Sequence, residues 1–150
     1  MQLLIDLWNN DPLKCAALSW TVAQTLKVLI SLGLEKHLDW KRMWGMGGMP
    51  SSHTAFVTAL TMRAGLQAGF DSLTFAVCFV VLFIVMTDAI GVRRETGRQG
   101  SAINLLLDWF DQETEPETES VDLKERVGHS PQEVFVGFLW GIVTALIFEA

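Results

Sequence analysis

Cysteine is scarce in this chain, with only two among its 150 residues. Cys15 and Cys78 both lie in apolar segments, where a cysteine is usually just a small hydrophobic residue. Two such cysteines exclude a disulfide framework and a cysteine-based metal site. The chain also lacks the basic start and the small-residue cleavage site of a secretory signal, and Asp6 and Asp11 make this end acidic. We therefore expect no secretory signal peptide.

Basic residues are also few, and the charge imbalance comes largely from one segment. Lys and Arg number 11 against 17 Asp and Glu, for a net charge of −6. Eight of the acidic residues lie between 108 and 126, together with Pro116 and several Ser and Thr residues. This composition predicts a solvated acidic loop. A calcium or magnesium site is the alternative, but the regular ligand spacing of a metal loop is missing. We expect neither a metal cofactor nor a nucleic-acid partner.

Long apolar runs make up much of the remaining chain. Half of the residues are hydrophobic, and the mean hydropathy is +0.32. Residues 73–90 are about long enough to cross the ~30 Å hydrocarbon layer of a bilayer, with a single charge near one end. Residues 12–34 and 132–148 are weaker candidates, and residues 54–70 contain Arg63 and would need burial within a bundle. A compact soluble helical protein with one very apolar central helix is the alternative.

The spacing of polar and apolar residues predicts an all-α fold in a single domain covering residues 1–150. We expect a helical membrane bundle of four main helices, and a shorter amphipathic helix at about 98–110 that carries Asn104. The expected bounds of the main helices are 12–36, 51–69, 72–94, and 129 to the C-terminus. Small and hydroxyl residues share one face of the second helix, as in membrane helices that pack closely.

This helix order gathers reactive residues at one end of the bundle. If consecutive helices run antiparallel, the starts of the second and fourth helices meet the ends of the first and third. That end collects His53, His129, Asp88, Arg93 and Arg94, whereas the other end collects almost no reactive residue. Since these residues could have scattered to both ends, their convergence predicts a functional site.

Pro50-Ser51-Ser52-His53 has the composition of an anion-binding helix start. Proline suits the first turn because its φ is already helical and its missing N–H is not needed there. The free backbone N–H groups and the two serine hydroxyls would point outward from a helix N-terminus, which favours an anion. His53, about one turn in, could donate a proton to that anion. The alternative is an ordinary Ser/Pro helix start with a surface histidine.

His129 and Glu133 form a second pair of interest at the start of the fourth helix. Being four residues apart, their side chains lie on one face, which continues through Gly137 and Gly141 and therefore faces the bundle interior. A carboxylate beside an imidazole fixes the tautomer and stabilises the cation, as a nucleophilic histidine needs. The alternative is an ordinary helix-start histidine with an i,i+4 partner.

Three cations are candidates for binding an anion at the same end. Arg93 and Arg94 fit either a charged helix C-terminal cap or a phosphate clamp. Lys27 lies inside a segment of membrane length, where a lysine is a functional candidate by default.

Three sequence blocks, in this order, carry a family resemblance. They are Gly-Gly-Met-Pro-Ser-Ser-His (47–53), Asp-Ala-Ile-Gly-Val-Arg-Arg (88–94) with Gly97, Gln99 and Asn104 after it, and Leu-Lys-Glu…Gly-His-Ser-Pro-Gln-Glu-Val (123–134). From about Gln24 to Gly141 the chain resembles the divergent, short branch of the type-2 phosphatidic acid phosphatases. These enzymes are related to the acid phosphatases and the vanadium-dependent haloperoxidases.

The resemblance implies a phosphohistidine mechanism. His129 would attack phosphorus, Glu133 would orient it, and His53 would protonate the leaving oxygen. The residues implied in phosphate binding are Lys27, Ser51, Ser52, Arg93, Arg94 and Lys124, with Asp88 and Asn104 in supporting positions.

The chain departs from the family pattern at three places. Ser52 replaces the usual glycine, which keeps a backbone N–H but adds bulk, and Glu133 is one methylene longer than the usual Asp. The superfamily places an arginine about six residues before the nucleophilic histidine, whereas Lys124 stands five before His129. Lys27 also lies six to nine residues below the reactive end, roughly 9–14 Å along a helix, so it must reach up or the first helix must tilt.

The sequence thus predicts an integral-membrane phosphatase that hydrolyses a lipid or prenyl phosphate without a cofactor, and vanadate is the expected inhibitor. Catalysis would combine nucleophilic attack with electrostatic stabilisation of the phosphoryl oxygens. The alternative is a catalytically inactive membrane scaffold or anion-binding protein that retains the phosphate site. A vanadate-dependent oxidant enzyme has no support in the chain beyond kinship. Membrane lipids are expected partners, and a homo-oligomer is left open.

The distribution of basic residues predicts the orientation of the bundle. Eight of the 11 Lys and Arg residues lie at the reactive end and two at the opposite end. The positive-inside rule counts Lys and Arg in short loops and gives little weight to acidic residues. It therefore predicts a cytoplasmic reactive end, unlike the outward-facing sites expected of many lipid phosphatases in the superfamily.

Overall fold

Helices make up all the regular structure in the described part of the chain. A computed structural model describes residues 1–35, 48–113 and 128–148. In chain order the helices are α1 (Gln2–Trp8), α2 (Asp11–Glu35), α3 (Ser52–Ala68), α4 (Leu73–Ile90), α5 (Val92–Glu113) and α6 (Pro131–Ile147). The predicted all-α fold is confirmed.

Serine side chains explain where three of these helices begin. Ser51, Ser72 and Ser130 are the N-caps of α3, α4 and α6, and each hydroxyl accepts a hydrogen bond from a backbone N–H of the first turn. Such caps satisfy N–H groups that have no partner within the helix. The starts of α3 and α6 are therefore fixed locally, which is why the sequence placed them within about two residues.

The amphipathic helix is longer than the sequence predicted. The backbone breaks at Gly91, so the third main helix ends at Ile90, and α5 begins at Val92 instead of 98. It continues to Glu113, so the acidic loop expected from 108 begins after that residue at the earliest. Acidic side chains on an exposed helix face need not end the helix. The rest of the acidic segment, residues 114–127, lies outside the described residues, and α1 was not expected.

α3 is the central helix of the bundle. It packs against α2, α4 and α6, whereas α5 contacts only α4 among the described helices. Two glycines of α6 allow the close approach to α3. A Cβ added at Gly141 would lie 2.5 Å from Cβ of Thr58, and one added at Gly137 would collide with the carbonyl oxygen of Ser51. The expected small-residue face of α6 thus lies against α3.

Small and polar residues fill the interior, and large apolar residues cover the outside. Ser19, Thr54 and Thr58 are fully buried, while Phe79 and Phe83 of α4 are 52% and 63% exposed. Two segments, Asp11–Gly33 and Leu73–Phe110, are long and apolar enough to cross a membrane. A surface of this kind would aggregate in water but suits a bundle held together by close packing in lipid. This distribution argues against the soluble alternative.

Candidate functional site

Two main-chain hydrogen bonds bring the starts of α3 and α6 to the end of α4. The N–H of Ser51 donates to the carbonyl of Glu133 at 3.0 Å, and the N–H of His129 donates to the carbonyl of Ala89 at 3.2 Å. These bonds join residues far apart in sequence. Three of the four helix ends that the sequence predicted to meet are therefore together in the fold.

His129 is buried and held by Glu133. Its side chain is 6% exposed, and its Nδ1 lies 3.0 Å from Oε2 of Glu133. The same Oε2 accepts the N–H of Ser130 at 3.0 Å, while the Ser130 hydroxyl accepts the N–H of Glu133 at 3.3 Å. This reciprocal pair is a capping box, for which Glu or Gln is the usual third residue. The longer side chain at 133 can thus cap the helix and hold the ring at once, leaving Nε2 as the ring nitrogen that can react.

Burial has the largest effect on the pKa of His129. Desolvation lowers its pKa below the ordinary value, the hydrogen bond and charge of Glu133 act in the opposite direction, and Lys27 and Arg93 lower it further. The ring is therefore held neutral near neutral pH, which is the form that can act as a nucleophile.

His53 stands in the first turn of α3, at the rim of the site. Its side chain remains solvent-exposed. Desolvation of the part of the ring that packs against the protein, and then the positive charges of Arg93, His129 and Lys27, lower its pKa below the ordinary value. The two histidines and two of the predicted cations are thus close enough to influence one another electrostatically.

Lys27 is the most buried of the described cations at the site. Its side chain is 4% exposed, and Gly48 lies over its aliphatic part, since a Cβ at Gly48 would be 3.3 Å from Cγ of Lys27. The charge of Lys27 acts on His53, His129 and Glu133. The axial offset inferred from the sequence therefore does not separate this lysine from the reactive end.

The adjacent arginines Arg93 and Arg94 have different surroundings. Nε of Arg93 donates to Oδ2 of Asp88 at 2.5 Å, and its charge acts on both histidines. Arg94 is exposed, because consecutive residues of a helix point about 100° apart. The fold therefore brings Arg93 to the histidines, with Asp88 fixing its side chain, and leaves Arg94 outside.

The two serines of the anion-binding motif are packed into the protein. Ser51 and Ser52 are almost fully buried, and the Ser51 hydroxyl contacts the N–H and hydroxyl of Thr54 at 3.4 and 2.9 Å. The backbone N–H of Ser51 already donates to the carbonyl of Glu133. Among the described residues, no hydrogen bond engages the backbone N–H groups of Ser52 and His53, so these two donors are available to an anion.

Of the two remaining predicted residues, the structure describes only Asn104. Asn104 lies on α5 about three turns beyond Arg93, roughly 16 Å along the helix, and is partly buried. Lys124 lies outside the described residues. In the part of the chain that the structure covers, no three His, Cys, Asp or Glu side chains come together as metal ligands.

Sequence reasoning missed the role of Gly128 in placing His129. Its φ is +96°, and a Cβ there would lie 2.6 Å from the backbone N of Arg94 and 2.8 Å from the carbonyl carbon of Arg93. Only glycine tolerates both conditions without strain. The glycine directly before the histidine was the available signal, and it lets the chain cross the start of α5 closely enough for His129 to bond Ala89.

Comparisons with known proteins show which family the chain resembles. The sequence profile described as the divergent PAP2 family matches residues 8–144. The chain is 40% identical over 153 residues to the uncharacterized membrane protein YuiD of Bacillus subtilis (strain 168), covering 95% of this chain and 96% of that protein. No solved structure shows a significant match.

Proposed function

Because the chain belongs to the divergent PAP2 family, we propose that it is an integral-membrane phosphatase acting on a lipid or prenyl phosphate through a phosphohistidine intermediate. The observation that carries this proposal is the buried His129 ring, whose Nδ1 is held by Glu133 at the meeting point of three helix ends. A nucleophilic histidine needs this orientation and a neutral ring.

The chemistry has two steps. Nε2 of His129 attacks phosphorus, an N–P bond forms, and the P–O bond to the leaving group breaks as His53 donates its proton to that oxygen. The leaving group is an alcohol for a phosphate monoester and a prenyl phosphate for a prenyl diphosphate. Glu133 stabilises the positive charge that develops on the phosphorylated ring. In the second step water attacks phosphorus, His53 takes a proton from the water, the N–P bond breaks, and phosphate leaves.

The cations and backbone donors stabilise the phosphoryl oxygens. Lys27, Arg93 and the N–H groups of Ser52 and His53 supply positive potential in a partly desolvated site, where such interactions are strongest. The charges that lower the pKa of His53 are those that a bound phosphate dianion would offset. Substrate binding therefore favours the protonated His53 that the first step requires.

Rapid-quench labelling tests the proposal directly. Purified protein in detergent is mixed with radiolabelled phosphatidic acid, and in parallel with a radiolabelled prenyl diphosphate, and acid-labile protein adducts are mapped. We expect label on His129, none in His129→Ala, and wild-type labelling in Gln132→Ala, an exposed neighbour on the same turn. Label on a serine, or turnover in His129→Ala, would contradict the mechanism.

Vanadate distinguishes an active phosphatase from a membrane protein that binds the anion without turnover. A pentacoordinate vanadate resembles the transferring phosphoryl group, so we expect inhibition of phosphate release with wild-type protein. If calorimetry shows that vanadate binds but neither phosphatidic acid nor the prenyl diphosphate is hydrolysed, an anion-binding membrane protein that has lost catalysis is favoured.

A further inference from the structure

α5 turns its polar face toward the protein and its apolar face outward. Gly97 and Gly100 are buried, and Ser101 and Asn104 on the same side are partly buried. All the large apolar side chains of the helix are exposed: Val92, Ile103, Leu105, Leu106, Leu107, Trp109 and Phe110. An amphipathic helix on a water-soluble domain has the opposite arrangement.

The outward side of α5 changes character halfway along the helix. Residues 94, 98, 105 and 109 lie on one side at 100° per residue. The first two are Arg94 and Arg98, both exposed, and the last two are Leu105 and Trp109, which are 70% and 53% exposed. The helix thus presents charge in its first half and, over residues 102–110, an apolar surface apart from the exposed Asp108.

We propose that residues 102–110 of α5 lie in the membrane interface, with their apolar side in the boundary between headgroups and acyl chains and with Arg94 and Arg98 among the lipid phosphates. An interfacial helix combines such an apolar side with basic residues, and aromatic side chains such as Trp109 favour this depth. The edge-to-face pair of Trp109 and Phe110 supplies them.

The bilayer is the occupant that fits the surroundings of α5. Among the described helices α5 contacts only α4. One side of α4 exposes large apolar side chains, among them Phe79, Phe83 and Ile84, so the apolar surface of α5 continues an apolar surface of α4 that suits lipid. The charged first half is unsuited to the hydrocarbon core. The helix therefore lies along the interface, and α4 is the part of the apolar segment Leu73–Phe110 that crosses the membrane.

A second copy of the chain fits this face less well. A parallel two-fold pair of α5 helices would set Arg94 and Arg98 against the same arginines, and an antiparallel pair would bury these charges against the apolar half. Neither pairing satisfies both halves, whereas lipid headgroups and acyl chains do. The inference does not depend on phosphatase activity.

Spin-label accessibility measures the environment of each side of α5. Single cysteines replace Leu106, Asp108 or Arg98 on a Cys15→Ser/Cys78→Ser background, and the labelled full-length protein is reconstituted in vesicles of phosphatidylethanolamine and phosphatidylglycerol. Phe83→Cys on α4 serves as the lipid-facing reference. We expect the label at 106 to favour oxygen over a water-soluble nickel chelate several-fold, as at 83, and labels at 98 and 108 to favour the chelate.

Two results would overturn the inference. Equal access of the nickel chelate to 106 and 108 would place this side of α5 in water, and strong spin–spin broadening at 106 would identify a second copy as its cover. A measurement that keeps the helix intact uses acyl-brominated lipids. Their quenching of Trp fluorescence should be smaller in Trp109→Phe than in wild type, and an unchanged quenching would contradict insertion.

Discussion

Replacing Glu133 with glutamine tests the proposed nucleophile with the least disturbance of the fold. Oε2 of Glu133 is 3.0 Å from both Nδ1 of His129 and the N–H of Ser130. Glutamine keeps an oxygen that can accept from Ser130, so the helix cap survives, but it removes the negative charge beside the ring. We therefore expect Glu133→Gln to fold normally and to lose most of its activity.

The size of the loss follows from one charge-assisted hydrogen bond. Such a bond contributes about 1.5–3 kcal/mol, and it strengthens as the ring becomes positive during attack. At 1.36 kcal/mol per tenfold change in rate, kcat should fall about 10- to 150-fold. The cap itself is worth about 1 kcal/mol, so Ser130→Ala should lower stability with a smaller effect on kcat.

The pH dependence gives a second readout with a definite sign. Glu133 raises the pKa of His129 against the effect of burial. Its neutralisation therefore lowers that pKa further, and the acid limb of the kcat/KM profile should move to lower pH while the plateau falls. Phosphate release from one lipid substrate is compared for wild type, Glu133→Gln and Gln132→Ala. An unchanged plateau, or an acid limb that moves to higher pH, would refute the role of this carboxylate.

Three further predictions concern packing, metal dependence and orientation. Gly141→Val should push α6 from α3 and destabilise the protein by about 1–3 kcal/mol in detergent thermal unfolding. Gly33→Val, where no atom of the described residues would lie within 4 Å of the added Cβ, should have little effect, and equal losses would contradict this packing. Phosphate release should continue in excess chelator, and strict magnesium dependence would require a different mechanism. Thr118→Cys, in a protein without Cys15 and Cys78, should resist an impermeant thiol reagent in intact cells, and ready labelling that spares a cytoplasmic control would reverse the predicted orientation.

The sequence predicted the features of the site that depend on local spacing. A proline and serines before a helix, and a histidine four residues before a glutamate, each determine their geometry within one turn. The antiparallel order of apolar helices then determines which ends meet. These arguments placed His53, His129 and Glu133 at one end of the bundle, where the fold has them.

Features that depend on long-range main-chain contacts were not predictable in the same way. Whether Arg93 or Arg94 turns toward the histidines depends on where α5 begins, and the sequence placed that start six residues too late. The close contact of Gly128 with the backbone of Arg93 and Arg94 lies at this start. The periodicity of apolar residues within a helix does not predict a contact between residues that are more than thirty positions apart.

α5 shows a second feature that the hydrophobic pattern of a sequence does not predict. The pattern identifies two faces of a helix, but the direction in which each face turns depends on the solvent around the protein. In water the apolar face turns inward, and beside a bilayer it can turn outward while the polar face covers a polar interior. Because Gly97 and Gly100 are buried and Leu105 is 70% exposed, the second arrangement applies here. The outward direction of its apolar face is therefore what the sequence pattern left undetermined, and it is the observation on which the proposed interfacial position of α5 rests.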